Sequence, residues 1–134
     1  MLSRTSDEQA YVATSRAMVQ ERIAAFDALG ASPKRDRFEP LFTASMVLVL
    51  EQLFVHRARG REGKDGNPLN EVRVLSNAIM SNGSVMVKDT QIKLDPATSV
   101  LGMSPGDDIH LTSKEVSTLA DAFFDEIEAR FGET

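Results

Sequence analysis

The amino-acid sequence predicts a mainly helical α+β domain in which four helices surround a small antiparallel β hairpin or sheet placed between the third and fourth helices. Three observations indicate this fold class. Apolar residues recur at helical spacing in four segments, the period changes to strand-like alternation over residues 84–111, and capping residues stand at several segment boundaries. With 134 residues the chain has the length of one domain, so we expect residues 1–134 to share one core.

The first helix is predicted over about residues 6–29. Ser6 and Gln9 match a capping box, in which the Ser6 hydroxyl accepts from the Gln9 amide and the Gln9 side chain reaches back. Four apolar residues share one face at helical spacing: Val12, Val19, Ile23 and Phe26. Gly30 supplies a left-handed cap, and Pro33 is expected to prevent the helix from resuming.

The second helix is predicted over about residues 40–59, with Pro40 at its first position, where a missing N–H costs nothing. Residues 41–55 are apolar on nearly all sides, which indicates a central helix packed by several neighbours. Residues 46–50 (MVLVL) also match a buried strand, but the length of the segment favours a helix. The segment is too short and too polar to span a membrane.

The third helix is predicted over about residues 68–80, because Asn67 and Pro68 form an N-cap and first-turn pair. Within residues 84–111, apolar and polar side chains alternate in three short stretches, which predicts the antiparallel β element with residues 96–103 as an irregular link. The alternating apolar residues are Val85, Val87, Ile92, Leu94, Ile109 and Leu111. Thr112 and Glu115 form a second capping box, so the fourth helix is predicted over about residues 113–131.

Composition and charge restrict the function classes. The net charge is −5, but residues 30–88 carry +3 and residues 89–134 carry −7. This acidic end argues against general nucleic-acid binding, which depends on neutralising phosphates. The chain has no cysteine, and its first ten residues lack the apolar core of a signal peptide, so we expect a soluble cytoplasmic protein with no membrane association.

The sequence GREGKDGNPLNEV, residues 60–72, is the strongest candidate binding loop. A glycine-rich loop before a helix can present free amides to an anion or nucleotide, and Arg61, Lys64 and Asn67 would complete such a site. The phosphate-loop motif is absent, and Glu62 and Asp65 would repel an anion. A simple connection between two helices is therefore the favoured interpretation.

His56 is the second candidate ligand-binding residue, and His110 is the remaining histidine. Neither has a partner at the spacing of a known metal or catalytic motif, so packing or surface roles are favoured. We expect no catalytic residues, no metal and no cofactor.

Two charged groups also have open interpretations. Three carboxylates share a face of the fourth helix and could bind a divalent cation, although a solvated surface is the better interpretation: Asp121, Asp125 and Glu128. The basic middle segment could meet an acidic or anionic partner, or could complement the end of the second helix: Arg57, Arg59, Arg61 and Lys64, with Lys34, Arg35 and Arg37 nearby.

Three short stretches, GKDGNPLNEV, SVLG and GDDIHLT followed by FF, resemble an uncharacterised bacterial family of hypothetical proteins. The resemblance covers roughly residues 55–131. It implies no activity, cofactor or site residue.

Two function classes remain. The first is a non-enzymatic interaction module that associates with itself, most simply as a symmetric homodimer, because the second helix carries more apolar surface than its neighbours can cover. The second is a small enzyme or anion-binding or nucleotide-binding domain with its site at residues 60–67. The absence of a recognisable nucleophile, metal cluster or cofactor motif favours the first class.

Overall fold

The computed structural model describes residues 2–54 and 62–131, with side chains described from residue 8 to residue 130 within these ranges. This part of the chain contains four α-helices: α1 (Leu2–Asp27), α2 (Pro33–Phe54), α3 (Pro68–Ser81) and α4 (Ser113–Phe131). The predicted order of four helices is confirmed. The predicted β element is not.

The α+β prediction is wrong because residues 84–111 form no strand in the described structure. They contain one isolated antiparallel bridge, between Val85 and Asp108. Of the predicted alternating residues, Ile92, Ile109 and Leu111 are buried. Val87 is 41% exposed instead, and its neighbour Met86 is buried. The two ends of the segment are joined by a few backbone bonds, such as that from the Met86 amide to the Asp107 carbonyl at 2.8 Å, but these do not extend into strands.

Aspartate side chains bind backbone amides in the middle of this segment. Asp89 Oδ1 accepts from the amides of Gln91 and Ile92 at 2.7 and 3.0 Å, and Asp95 Oδ1 accepts from Ala97 at 2.9 Å. Such short-range bonds compete directly with inter-strand pairing. The segment is therefore an ordered, irregular connection that packs its apolar residues against the helices.

The two N-terminal helices begin earlier than predicted. Helix α1 already includes Ser6, so the predicted capping box lies inside the helix and does not start it. Helix α2 begins at Pro33, where the Ser32 hydroxyl accepts from the Arg35 amide at 3.1 Å, and Pro40 lies within the helix. Proline is well suited to a first helical position, so Pro33 starts the helix that it was predicted to exclude. The predicted end of this helix at residue 59 lies outside the described residues.

The starts of α3 and α4 agree with the predictions. Asn67 Oδ1 accepts from Leu69 and Asn70 at 2.9 and 3.2 Å, with Pro68 next in the chain. At α4, the Thr112 hydroxyl accepts from the Glu115 amide at 3.1 Å, and Glu115 Oε1 accepts from the Thr112 amide at 3.0 Å. Both caps satisfy amides that would otherwise lack partners.

Helix α4 lies among the other three helices, and α3 also packs against α2. Phe54 contacts Phe123 and Phe124 edge-on, with ring centroids 5.6 and 6.0 Å apart, so aromatic side chains fill the space between α2 and α4. Tyr11 connects α1 to α2, because its hydroxyl donates to the Leu53 carbonyl at 2.8 Å. Among the described helices, none combines the length and the hydropathy that crossing a lipid bilayer requires.

Candidate functional site

The predicted binding loop is described from residue 62 onward, and its centre is Asn67. Besides capping α3, Asn67 donates through Nδ2 to the Glu62 carbonyl at 2.6 Å and to Asp65 Oδ1 at 2.7 Å. The bond from Asn67 is the main reason why the pKa of the Asp65 carboxyl lies below its usual value. One side chain thus organises both the helix start and the loop before it.

Asn70 is a second organising residue, and it is fully buried. Its Nδ2 donates to Glu62 Oε2 and to the Gly63 carbonyl, both at 2.9 Å, while its Oδ1 accepts from the Gly66 amide at 2.9 Å. Arg73 Nη2 lies 2.8 Å from Glu62 Oε1 as an ion pair, without the angles of a hydrogen bond. Glu62, which was expected to repel an anion, is buried against Asn70 and Arg73.

Gly66 brings the loop against the irregular segment. It has φ of +87°, and a Cβ added to it would collide with the Lys93 carbonyl oxygen. Close by, the Lys93 amide donates to the Lys64 carbonyl at 3.0 Å. Only glycine combines this backbone conformation with such a close approach.

Two of the four residues predicted to bind a ligand lie in the described part of the loop, and two do not. His56 and Arg61 lie outside the described residues. Asn67 uses its side chain for the contacts above, and Lys64 Nζ is 3.3 Å from Gln91 Oε1. The amides of Leu69 and Asn70, which an anion would need, are already bonded to Asn67. These contacts favour the connector interpretation, and ligand binding by the four residues stays a prediction.

Glu71 is a buried carboxylate that the sequence did not single out. It is 2% exposed, and its two carboxylate oxygens accept from the amides of Val100 and Leu101 at 2.8 and 2.9 Å. Burial raises the pKa of the Glu71 carboxyl, and the two backbone hydrogen bonds oppose that rise without cancelling it. Glu71 thus attaches the irregular segment to α3. The sequence places Glu71 in the first turn of α3, but an acidic residue at that position is equally typical of an exposed side chain, so its burial could not be predicted.

The three carboxylates on α4 converge on Arg16 of α1. Nη1 of Arg16 lies 3.0 Å from both Asp125 Oδ1 and Glu128 Oε1, and Nη2 lies 3.6 Å from Asp121 Oδ1. All three acids are more than half exposed, as predicted, but they share one arginine, which offsets part of their charge and joins two helices. Within the described ranges no group of three potential ligands could hold a metal ion, and His110 is exposed.

The basic middle segment is described only in part. Arg57, Arg59 and Arg61 lie in residues 55–61, outside the described residues. Lys34 and Arg37 are exposed in the first turns of α2. The Arg35 guanidinium lies 4.7 Å from the centroid of the Phe26 ring, so it packs on an aromatic side chain of α1.

The outer face of α2 is an uncharged surface that is partly exposed in the single chain. Five residues recur along it at intervals of three or four positions: Phe38, Leu41, Ser45, Leu48 and Gln52. Phe38 is 48% exposed and Leu41 is 67% exposed, whereas Leu48 is partly buried. The opposite face carries the buried residues Thr43, Met46, Val47, Leu50 and Phe54. None of the five outer residues is charged, although a solvated helix face normally carries charged side chains.

Comparisons with known proteins add no assignment. No family model matches the chain, and no curated protein or solved structure is significantly similar to it. The resemblance to an uncharacterised bacterial family therefore stays untested.

Proposed function

We propose that this protein is a non-enzymatic interaction module that pairs with a second copy of itself through the outer face of α2. The observation that carries the proposal is the uncharged face from Phe38 to Gln52, which runs for about 21 Å at the usual rise of a helix. Exposed aromatic and aliphatic groups at three-and-four spacing match the way in which two helices pack.

A second copy is the occupant that this face suits best. In an antiparallel pair with its two-fold axis at Ser45, Leu41 of one copy meets Leu48 of the other, and Phe38 lies against Gln52. The small side chain of Ser45 stands at the crossing point and permits close approach. Since all five residues are uncharged, the two identical faces meet without repulsion.

The surface continues beyond α2. Leu29, which is 50% exposed, lies just beyond the end of α1 and lines a shallow groove together with Phe38, Phe42 and the charged Arg22. The Phe26 and Phe42 rings are stacked beneath it, with centroids 4.8 Å apart. These rings hold Phe38 at the surface. Because the pairing would involve one helix face and this groove, we expect a weak dimer that dissociates in the micromolar range.

The alternative, an anion-binding or nucleotide-binding site at residues 60–67, is less well supported by the contacts of the described part. Asn67 already bonds the first amides of α3, and Asp65 stands beside them. The pairing face from Phe38 to Gln52 also lies wholly within the described residues, whereas the loop site would need Arg61, which lies outside them.

Sedimentation velocity over a concentration series tests the proposal. We expect the mass to rise from 14.7 kDa towards twice that value as the concentration passes through the micromolar range. A single species near 14.7 kDa up to about 200 µM would refute pairing, because no interface of useful affinity would then be present.

Cysteine cross-linking tests the geometry. The chain has no cysteine, so Ser45→Cys introduces a unique thiol at the expected two-fold axis. Packed helix axes are about 8–10 Å apart, and each Cα lies about 2.3 Å from its axis, so facing Cα atoms would be about 3.5–5.5 Å apart. That separation overlaps the disulfide range. Mild oxidation should link Ser45→Cys quantitatively and leave Asn77→Cys, exposed on α3, largely unlinked. Equal linking of the two variants would contradict the proposed antiparallel pairing at Ser45.

A further inference from the structure

The irregular segment and α3 enclose a cleft of about 330 Å³ that is separate from the outer face of α2. Its lining has an apolar wall and a polar wall. The apolar wall contains Val74, Met86, Val87, Ile92, Leu94, Met103 and Pro105. The polar wall contains residues 88–91 and Lys93.

The lysines around this cleft have no acidic ion-pair partner among the described residues. Lys88 and Lys93 line it, and Lys64 stands at its edge through its bond to Gln91. Within the described residues none of these three lysines makes an ion pair. Asp89 is the acidic residue of the lining, and its Oδ1 is already bonded to the backbone amides of Gln91 and Ile92. The charged side chains of the cleft therefore leave a net positive charge.

We propose that this cleft binds a small amphipathic carboxylate, with its alkyl or aryl body on the apolar wall and its carboxylate between Lys88 and Lys93. The volume lies at the lower end of the range for small-molecule sites, which limits the ligand to a short chain or a single ring. Leu94 and Met103 are partly buried and Val87 is 41% exposed, so apolar surface remains for the body of such a ligand to cover.

The chemistry of the two walls distinguishes this ligand class from others. A bare inorganic anion would leave the apolar wall in contact with water, and an uncharged hydrocarbon would leave both lysines without a counter-ion. Methionine adapts its side chain to irregular apolar shapes, so Met86 and Met103 suit a flexible alkyl chain. A ligand with one apolar end and one carboxylate satisfies both walls.

The test uses octanoate as the probe, added to the full-length isotope-labelled chain while amide and methionine-methyl resonances are followed by NMR. We expect saturable shifts at residues 86–94 and at the Met103 methyl. Acetate, which has the charge without the chain, and 1-octanol, which has the chain without the charge, should both bind more weakly than octanoate.

Lysine variants test the polar wall. The double variant Lys88→Gln with Lys93→Gln should weaken octanoate binding about tenfold, since it removes two partly exposed ion pairs. Lys114→Gln, at an exposed lysine on α4, should leave binding unchanged and serves as the matched control. All three positions are exposed, so the variants are expected to fold, and the unliganded spectrum verifies this.

Three results would overturn the proposal. Octanoate could produce no saturable shift, it could shift residues elsewhere, or its affinity could equal that of 1-octanol and remain the same in the double variant. Each result would mean that the two walls do not act together as a carboxylate site.

Discussion

Replacing Leu41 by glutamate places a charge at the most exposed apolar position on the outer face of α2. The side chain is 67% exposed in the single chain, so pairing could bury about two thirds of it. Full burial of a leucine contributes about 2 kcal/mol, which gives about 1.3 kcal/mol for this fraction. A symmetric pair contains two copies, so the variant should lose about 2.6 kcal/mol, or nearly a hundredfold in the dimer dissociation constant. Desolvation of the new carboxylates adds to that loss.

The assay compares sedimentation of the wild type, Leu41→Glu and Met80→Glu at matched concentrations. Met80 is a suitable control because it is 70% exposed, apolar and on α3, so it receives the same change away from the proposed interface. We expect the Leu41 variant to be monomeric at concentrations where the wild type and the Met80 variant are dimeric. Thermal unfolding of the dilute monomers should be similar for all three proteins.

Two results would refute the reasoning. If Leu41→Glu dimerised as tightly as the wild type, the outer face of α2 would not be the interface. If Met80→Glu dissociated the dimer equally, net charge rather than the position of the charge would be responsible.

Four further predictions concern the loop, the buried carboxylate and metal content. Asn67→Ala should lower the free energy of unfolding by about 1–2 kcal/mol, measured by urea unfolding, because the first amides of α3 lose their acceptor; unchanged stability would contradict the capping role. Gly66→Ala should destabilise by more than the cost of about 1–2 kcal/mol that a left-handed backbone imposes on alanine. Gly83→Ala, with φ of +61° and no atom near its added Cβ, should show that backbone cost alone, so equal effects would exclude the collision with Lys93. The pKa of Glu71 is higher in the folded state than in the unfolded state, so protonation of this carboxyl stabilises the fold. That contribution to stability is complete below the unfolded-state pKa and is lost as the pH rises through the folded-state pKa. The stability of the wild type relative to Glu71→Gln should therefore fall as the pH rises through that window, and a constant difference in urea unfolding across it would contradict the shift. Finally, chelation should leave the melting temperature unchanged, and a stoichiometric metal lost together with stability would show that prediction to be wrong.

Some features of the candidate sites could be predicted from the sequence, and others could not. The cap at Asn67 was predictable because an N-cap involves residues only two or three positions apart. The role of Asn70 was not, since its partners are the buried Glu62, the Gly63 carbonyl and the Gly66 amide, whose positions depend on the folded loop. Glu71 is a stronger case, because the amides that it binds lie 29 and 30 residues further along the chain.

The outer face of α2 was likewise predictable from the sequence only in part. Its lack of charge is visible in the sequence, which led to the expectation of self-association. Which half of the helix is covered within the chain depends on where α3 and α4 pack, and this decides that Phe38 and Leu41 are exposed while Met46 and Leu50 are buried.

The sequence by itself determined the number and order of the helices and the starts of α3 and α4, because helical periodicity and capping are local properties of neighbouring residues. Only the tertiary structure decided that the alternating residues 84–111 make no sheet. An extended segment that packs on helices buries alternate side chains just as a strand does, so its pattern is the same in both cases. The outcome depended instead on where its backbone donors found acceptors, and those acceptors were nearby aspartates, loop carbonyls and the distant carboxylate of Glu71.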